Sequence, residues 1–101
     1  MRMHQREDGT FEVGGLVELA ALNAAQVRDE IKSRMGADCL ALEMDLASVT
    51  FLDSSGLGTL ISLHKALRTR GGEFRIVNAA PNVLQILELT RLHRVFQIIT
   101  R

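Results

Sequence analysis

Two hydrophobic periodicities alternate along the 101-residue chain, and this alternation restricts the possible folds more than any other feature of the sequence. Residues 39–52 carry large apolar side chains at alternate positions, which predicts a strand covered on both faces. Residues 23–36 and 57–72 instead repeat apolar side chains every three or four positions, which predicts helices. The alternate strand positions are Leu40, Leu42, Met44 and Leu46.

The remaining segments complete the order β-β-α-β-α-β-α-β. Asp8-Gly9 favours a type I′ hairpin turn between two antiparallel strands at the start of the chain. Residues 73–78 and 94–99 predict strands, and residues 80–89 predict a helix with Pro81 in its first turn. Strands joined by helices imply right-handed parallel crossovers, so we expect one α/β domain spanning residues 1–101.

Both long helices have clear ends in the sequence. Asn23 is the predicted N-cap of the first, with Gln26 three residues later, and Gly36 ends it. Gly71-Gly72 ends the second. The predicted apolar faces are Ala24, Val27, Ile31 and Met35 in the first helix, and Leu57, Leu60, Ile61, Leu63 and Leu67 in the second.

Composition excludes several classes of protein. Twelve basic and twelve acidic residues give no net charge, so nothing indicates nucleic acid or an anionic membrane as a partner. The aromatic residues are four phenylalanines, too few for base-stacking platforms. Neither a signal peptide nor a membrane span is recognisable, and the single cysteine, Cys39, fits a reducing compartment. We expect a soluble cytoplasmic protein.

The segment T-F-L-D-S-S-G-L-G-T-L, residues 50–60, combines an acid, two hydroxyls and two glycines at a strand-to-helix turn. One interpretation is a capped turn, in which a serine at the N-cap or in the first turn accepts from free backbone N–H groups. Asp53 would favour the positive end of the helix dipole. Two adjacent serines, Ser54 and Ser55, exceed what one cap requires, so one of them should remain free on the surface.

The same segment does not fit a catalytic motif. A nucleophile elbow needs a glycine two residues before the serine, and a phosphate-binding loop needs a lysine after its second glycine. His64 lies about 15 Å along the helix from Ser54, too far to act as its base. His4 and His93 are isolated, and no spacing suits zinc. We therefore expect no enzyme, no cofactor and no metal.

A serine without a base can still accept a phosphate. A helix N-terminus offers free N–H groups and a favourable dipole, whereas the neighbouring Asp53 opposes the added charge. Phosphorylation would therefore change what docks at this surface without unfolding the domain.

Residues 49–98 resemble the STAS domain of bacterial anti-sigma factor antagonists. The shared features are the D-S-S-G-L-G turn and its helix, the Gly-Gly before a strand, and a helix that begins with proline and leads to a final strand. The resemblance implies the STAS fold, a mixed and mostly parallel sheet with helices packed on it.

The resemblance also implies a partner-switching function. In that family the unphosphorylated domain binds a GHKL-type serine kinase that is also the anti-sigma factor, and a PP2C-type phosphatase reverses the phosphorylation. The acceptor follows the motif aspartate, so Ser54 is the implied site and Ser55 the alternative. The implied docking surface also includes Asp53, Gly56, Leu57 and Gly58, with Leu60 or Ile61 added where they are not buried.

Two departures from the family pattern affect these expectations. Many relatives have Gly-x-Leu-Asp where this chain has Val17 in place of the glycine and Ala20 in place of the aspartate, although Glu18 is nearby. The sequence also stops at Arg101, where many relatives continue into a final helix, so we expect an exposed patch and weak self-association. The alternative function is that of a STAS subunit with a structural or ligand-binding role in a lipid-transport or stressosome-like assembly.

Overall fold

The computed structural model describes all 101 residues and confirms the α/β class. Strands and helices alternate after an opening hairpin, as the periodicities predict. The elements are β1 (Arg2–Gln5), β2 (Phe11–Gly14), β3 (Glu18–Leu19), α1 (Ala24–Met35), β4 (Ala41–Asp45), β5 (Phe51–Leu52), α2 (Ser54–Thr69), β6 (Glu73–Val77), α3 (Pro81–Leu89), a 3-10 turn (Leu92–Arg94) and β7 (Gln97–Ile99).

Five strands form one sheet in the order β1-β2-β4-β6-β7. Only β1 and β2 run antiparallel, and the other three pairs are parallel, as expected for strands joined by helices. The two shortest strands, β3 and β5, pair in parallel as a separate sheet. The single strand predicted over residues 39–52 was wrong in its extent, because a turn at residues 47–48 divides it into β4 and β5, and β3 was not predicted. The predicted final strand is shorter than expected, because residues 92–94 form the 3-10 turn.

A single core, mostly aliphatic but with three phenylalanines, lies between the large sheet and the helices. The predicted face of α1 is buried in full. In α2, Leu60, Leu63 and Leu67 are buried, whereas Leu57 and Ile61 lie at the edge of the core and are partly exposed. None of the three helices is long and apolar enough to span a bilayer.

The prediction that β4 is covered on both faces is confirmed at the centre of the strand, but charged groups cover one of the faces. Leu42 and Met44 face the core, but Leu40 precedes the strand and is exposed. On the opposite face, Glu43 is only 3% exposed, because the guanidinium groups of neighbouring residues cover its carboxylate. The arginines that contact Glu43 are Arg6, Arg75 and Arg101.

The opening hairpin is confirmed, but its predicted turn type was wrong. A type I′ turn needs a positive φ at both central residues, and here only Gly9 has one, at +90°. The Gly9 N–H donates to the Arg6 carbonyl at 3.0 Å. The Asp8 carboxylate accepts from the Thr10 N–H at 2.9 Å, and the φ of Asp8 is not positive.

Candidate functional site

The small sheet of β3 and β5 brings two helix starts to one edge of the molecule. Glu18 pairs with Phe51 and Leu19 with Leu52, so the two parallel strands end side by side. Four residues, 20–23, form the loop between β3 and α1, whereas α2 begins immediately after Asp53. The turn of Asp53, Ser54 and Ser55 therefore lies against a loop that is 32 residues earlier in the sequence at the Ala21 contact.

Asp53 holds these two segments together. Its Oδ1 accepts from the Gly56 N–H at 3.0 Å, which makes Asp53 the N-cap of α2. Its Oδ2 accepts from the Ala21 N–H, also at 3.0 Å, in the loop after β3. These bonds from Gly56 and then Ala21 lower the pKa of the Asp53 carboxyl below its ordinary value. The carboxylate is therefore ionised at neutral pH and is occupied on both oxygens.

Ser54 and Ser55 are the first two residues of α2, and both are exposed. Neither hydroxyl takes part in a hydrogen bond within the chain, because Asp53 supplies the cap that a serine was a candidate to supply. The capped-turn interpretation is therefore right for the turn and wrong for a capping serine. The sequence predicts that one of the two serine hydroxyls is free, and in the structure both are free.

The other residues of the turn differ in exposure. Gly56 is buried, and a Cβ built on it would lie 2.0 Å from the Leu19 carbonyl oxygen, so only glycine fits where α2 crosses β3. Gly58 is exposed with open space around it, and Leu57 is partly exposed. Leu60 is fully buried and cannot contact a partner.

The side chain of Asn23, predicted as the N-cap of α1, instead stabilises the loop of residues 20–23. Asn23 precedes α1 as predicted but makes no capping bond to it. Its Oδ1 accepts from the Ala20 N–H at 2.9 Å, and its Nδ2 donates to the Glu18 carbonyl at 2.8 Å. Ala20, at the position of the family aspartate, is buried. The neighbouring Leu22 is 91% exposed, and no pattern in the sequence marks it.

The charge around the turn is negative. Residues 17–27 and 49–60 contain no lysine or arginine, whereas Glu18 is exposed and Asp53 is partly exposed. A further negative charge on either serine would therefore find no cationic side chain within these segments to neutralise it.

The groups considered for catalysis lie elsewhere. His64 packs edge-on against Phe74 and Phe96, with ring centroids 6.1 and 5.5 Å away. Burial, together with the charge of Arg68, lowers the pKa of His64. Cys39 is buried as a small apolar residue, with Sγ 3.2 Å from the Ala41 carbonyl oxygen. No group of three histidine, cysteine or acidic side chains is arranged to hold a metal ion.

The family model for the STAS domain matches residues 5–101, and the chain belongs to the STAS domain family. It is 24% identical over 98 residues to an anti-sigma-B factor antagonist of Listeria monocytogenes, covering 97% of this chain and 86% of that protein. The crystal structure of an anti-sigma factor antagonist from Mycobacterium paratuberculosis is 26% identical, with a TM-score of 0.83, covering 97% of this chain and 82% of that one. The Bacillus cell fate determinant SpoIIAA in its phosphorylated form shares the fold at 17% identity and a TM-score of 0.78, with coverage of 99% and 89%.

Proposed function

We propose that this chain is an anti-sigma factor antagonist whose binding to its partner is controlled by phosphorylation of Ser54. Its similarity to anti-sigma factor antagonists over nearly the whole chain supports the function class. The observation that supports the switch is that the cap of α2 and the exposed hydroxyls belong to different residues of the turn. Asp53 takes the capping role, and the adjacent serine hydroxyls stay exposed and unbonded at the start of a fixed helix.

The proposed partner is a GHKL-type serine kinase that is also the anti-sigma factor. The Ser54 Oγ attacks the γ-phosphorus of ATP, the bond to the ADP oxygen breaks, and the hydroxyl proton leaves to a base on the kinase. A PP2C-type phosphatase hydrolyses the phosphoserine and restores the hydroxyl. The chain itself is a substrate and a binding protein in the cytoplasm and not an enzyme.

Electrostatics gives the direction of the switch. A phosphate on Ser54 adds about −1.5 to −2 charges beside an ionised Asp53 whose oxygens are both occupied. The flanking segments supply no lysine or arginine to pair with this phosphate. Burying it against a partner that accommodates a neutral hydroxyl would require desolvation of a dianion. Phosphorylation therefore favours release.

Ser54 is preferred over Ser55 because the family resemblance implies that the acceptor directly follows the motif aspartate. Both hydroxyls are exposed, so Ser55 stays the alternative acceptor. Fragment mass spectrometry after incubation with ATP and the GHKL-type kinase encoded nearest to this chain distinguishes the two. One phosphate that disappears only in Ser54→Ala supports the assignment, and loss only in Ser55→Ala moves it by one residue. No phosphate on any form, with the kinase active on another substrate, contradicts the switch and favours the structural-subunit alternative.

Binding tests the switch itself. Ser54→Ala should bind the kinase constitutively, and Ser54→Glu should bind it weakly, as measured by isothermal titration calorimetry. Equal affinities for wild type, Ser54→Ala and Ser54→Glu would refute the proposal. Weak self-association stays a separate prediction, which light scattering at high protein concentration can check.

A further inference from the structure

Three of the exposed large apolar side chains of this protein lie on the two segments joined by the small sheet and Asp53. Val17 is 62% exposed, Leu22 91% and Phe51 55%. Phe51 pairs with Glu18 on the outward face of the small sheet, since Leu19 and Leu52 point into the core. Isolated apolar residues are ordinary on protein surfaces, but a group of them beside a functional turn indicates an interaction surface.

Leu22 is the most exposed of the three, and the loop that carries it is fixed on both sides of the leucine. The N–H of the preceding residue, Ala21, is bonded to Asp53, and the side chain of the following residue, Asn23, is bonded to Ala20 and Glu18. These three hydrogen bonds hold the loop in one conformation, and within it the leucine side chain points into solvent. A fixed loop loses little backbone conformational entropy on binding, which raises the affinity that its exposed side chain can contribute.

The same bonds place Leu22 next to the proposed phosphorylation site. Asp53 contacts Ala21 at 3.0 Å and is the residue before Ser54, so the leucine and the serine hydroxyl flank a single carboxylate. A partner that covers the turn at Ser54 must also cover the loop that Asp53 holds against it. The two segments that carry both residues, 17–27 and 49–60, are mostly apolar, with acidic members and no lysine or arginine.

We infer that Leu22 is the apolar anchor through which this chain binds its anti-sigma partner, by inserting into an apolar pocket of that protein rimmed by lysine or arginine side chains. The inference rests on the proposed function and deepens it. The acidic contact expected from the family at position 20 is replaced by buried Ala20, and the exposed contact moves to an apolar side chain two residues later. Leu22 is thereby a determinant of partner specificity in this chain.

The test measures binding of the full chain to the purified GHKL-type kinase by isothermal titration calorimetry. Leu22→Ala and Leu22→Gln should each weaken binding at least about tenfold, because the pocket loses its apolar occupant. Leu89→Ala is the matched control, since Leu89 is 78% exposed at the end of α3 and lies outside both segments. It should bind within about twofold of wild type. All three variants should melt at the wild-type temperature, because each side chain is exposed.

The outcomes separate this inference from the proposed function. Wild-type affinity in both Leu22 variants, with weak binding by Ser54→Glu, overturns the anchor and leaves the switch in place. Equal losses in Leu22→Ala and Leu89→Ala also overturn it, because the effect would then not be local. Absence of binding by wild type and Ser54→Ala alike overturns the proposed function and the anchor with it.

Discussion

Gly56 and Gly58 lie two residues apart in α2, and we expect substitution by alanine to have opposite effects on stability at the two positions. In Gly56→Ala the new Cβ would lie 2.0 Å from the Leu19 carbonyl oxygen and 2.6 Å from Leu52 Cδ1. Ordinary contact begins at 3.4 Å, so α2 and β3 must separate by about 1.4 Å. The nearest obstacle is backbone and cannot rotate away. In Gly58→Ala the Cβ meets nothing within 4 Å.

The magnitudes follow from packing and helix propensity. Overpacking of this kind costs about 2–3 kcal/mol, so Gly56→Ala should lower the melting temperature by roughly 10–20 °C. Gly58→Ala reduces the conformational freedom of the unfolded chain and raises the helix propensity of α2, so it should stabilise the folded state by about 0.5–1 kcal/mol. Thermal unfolding followed by circular dichroism at the helix band measures both.

A second measurement locates the damage. Retreat of α2 from β3 would stretch the bond between Asp53 and the Ala21 N–H, so this amide should lose hydrogen-exchange protection in Gly56→Ala and keep it in Gly58→Ala. Equal melting temperatures for the two variants would refute the close approach of Gly56 to Leu19 and the site geometry built on it.

Two further predictions concern buried polar groups. Burial raises the pKa of the Glu43 carboxyl, but hydrogen bonds from Arg101 and Arg75 outweigh it, and the folded pKa lies below the ordinary 4.5. Glu43 therefore contributes stability that is complete above pH 4.5 and lost as the pH falls through the folded pKa. Glu43→Gln should cost about 1–3 kcal/mol at pH 7 and flatten the acid limb of the unfolding free energy against pH; an unchanged acid limb would contradict this assignment. Thr59→Val removes a buried 2.9 Å hydrogen bond to the Ala24 carbonyl and should cost about 1 kcal/mol in urea unfolding. The control Thr69→Val, at an exposed position, should change the unfolding free energy little, and equal losses in both would count against a role for the link between α1 and α2.

The sequence predicts the helices well because their apolar faces repeat at the helical period and their ends carry glycine or proline. All four residues predicted for the inner face of α1 are buried, and Pro81 begins α3. The alternation of β4 is also correct for Leu42 and Met44. The alternation was wrong at Leu40, which is exposed. It also gave no sign of Glu43 on the second face, because burial of Glu43 depends on arginines from other parts of the chain.

The turn was predicted more completely than the surface around it. Asp53, Ser54 and Ser55 are adjacent in sequence, so the motif itself reveals them. β3 and β5 have two residues each, too few for any periodicity. The hydrogen bond from the Ala21 N–H to Asp53 joins residues 32 positions apart, so no local sequence pattern indicates it. Asn23 stands at the position of an N-cap, but its side chain bonds to the loop before the helix instead. Leu22 could not be found without this long-range pairing.

The pairing of β3 with β5 also determines when the site is completed during folding. The two strands are separated by α1 and β4, and the loop between them must close before Asp53 can reach Ala21. An unfolded or partly folded chain displays the serines but not the adjoining loop in its fixed form. A protein that contacts both segments would therefore distinguish the folded chain from nascent or damaged chains, since only the folded chain has completed these long-range contacts.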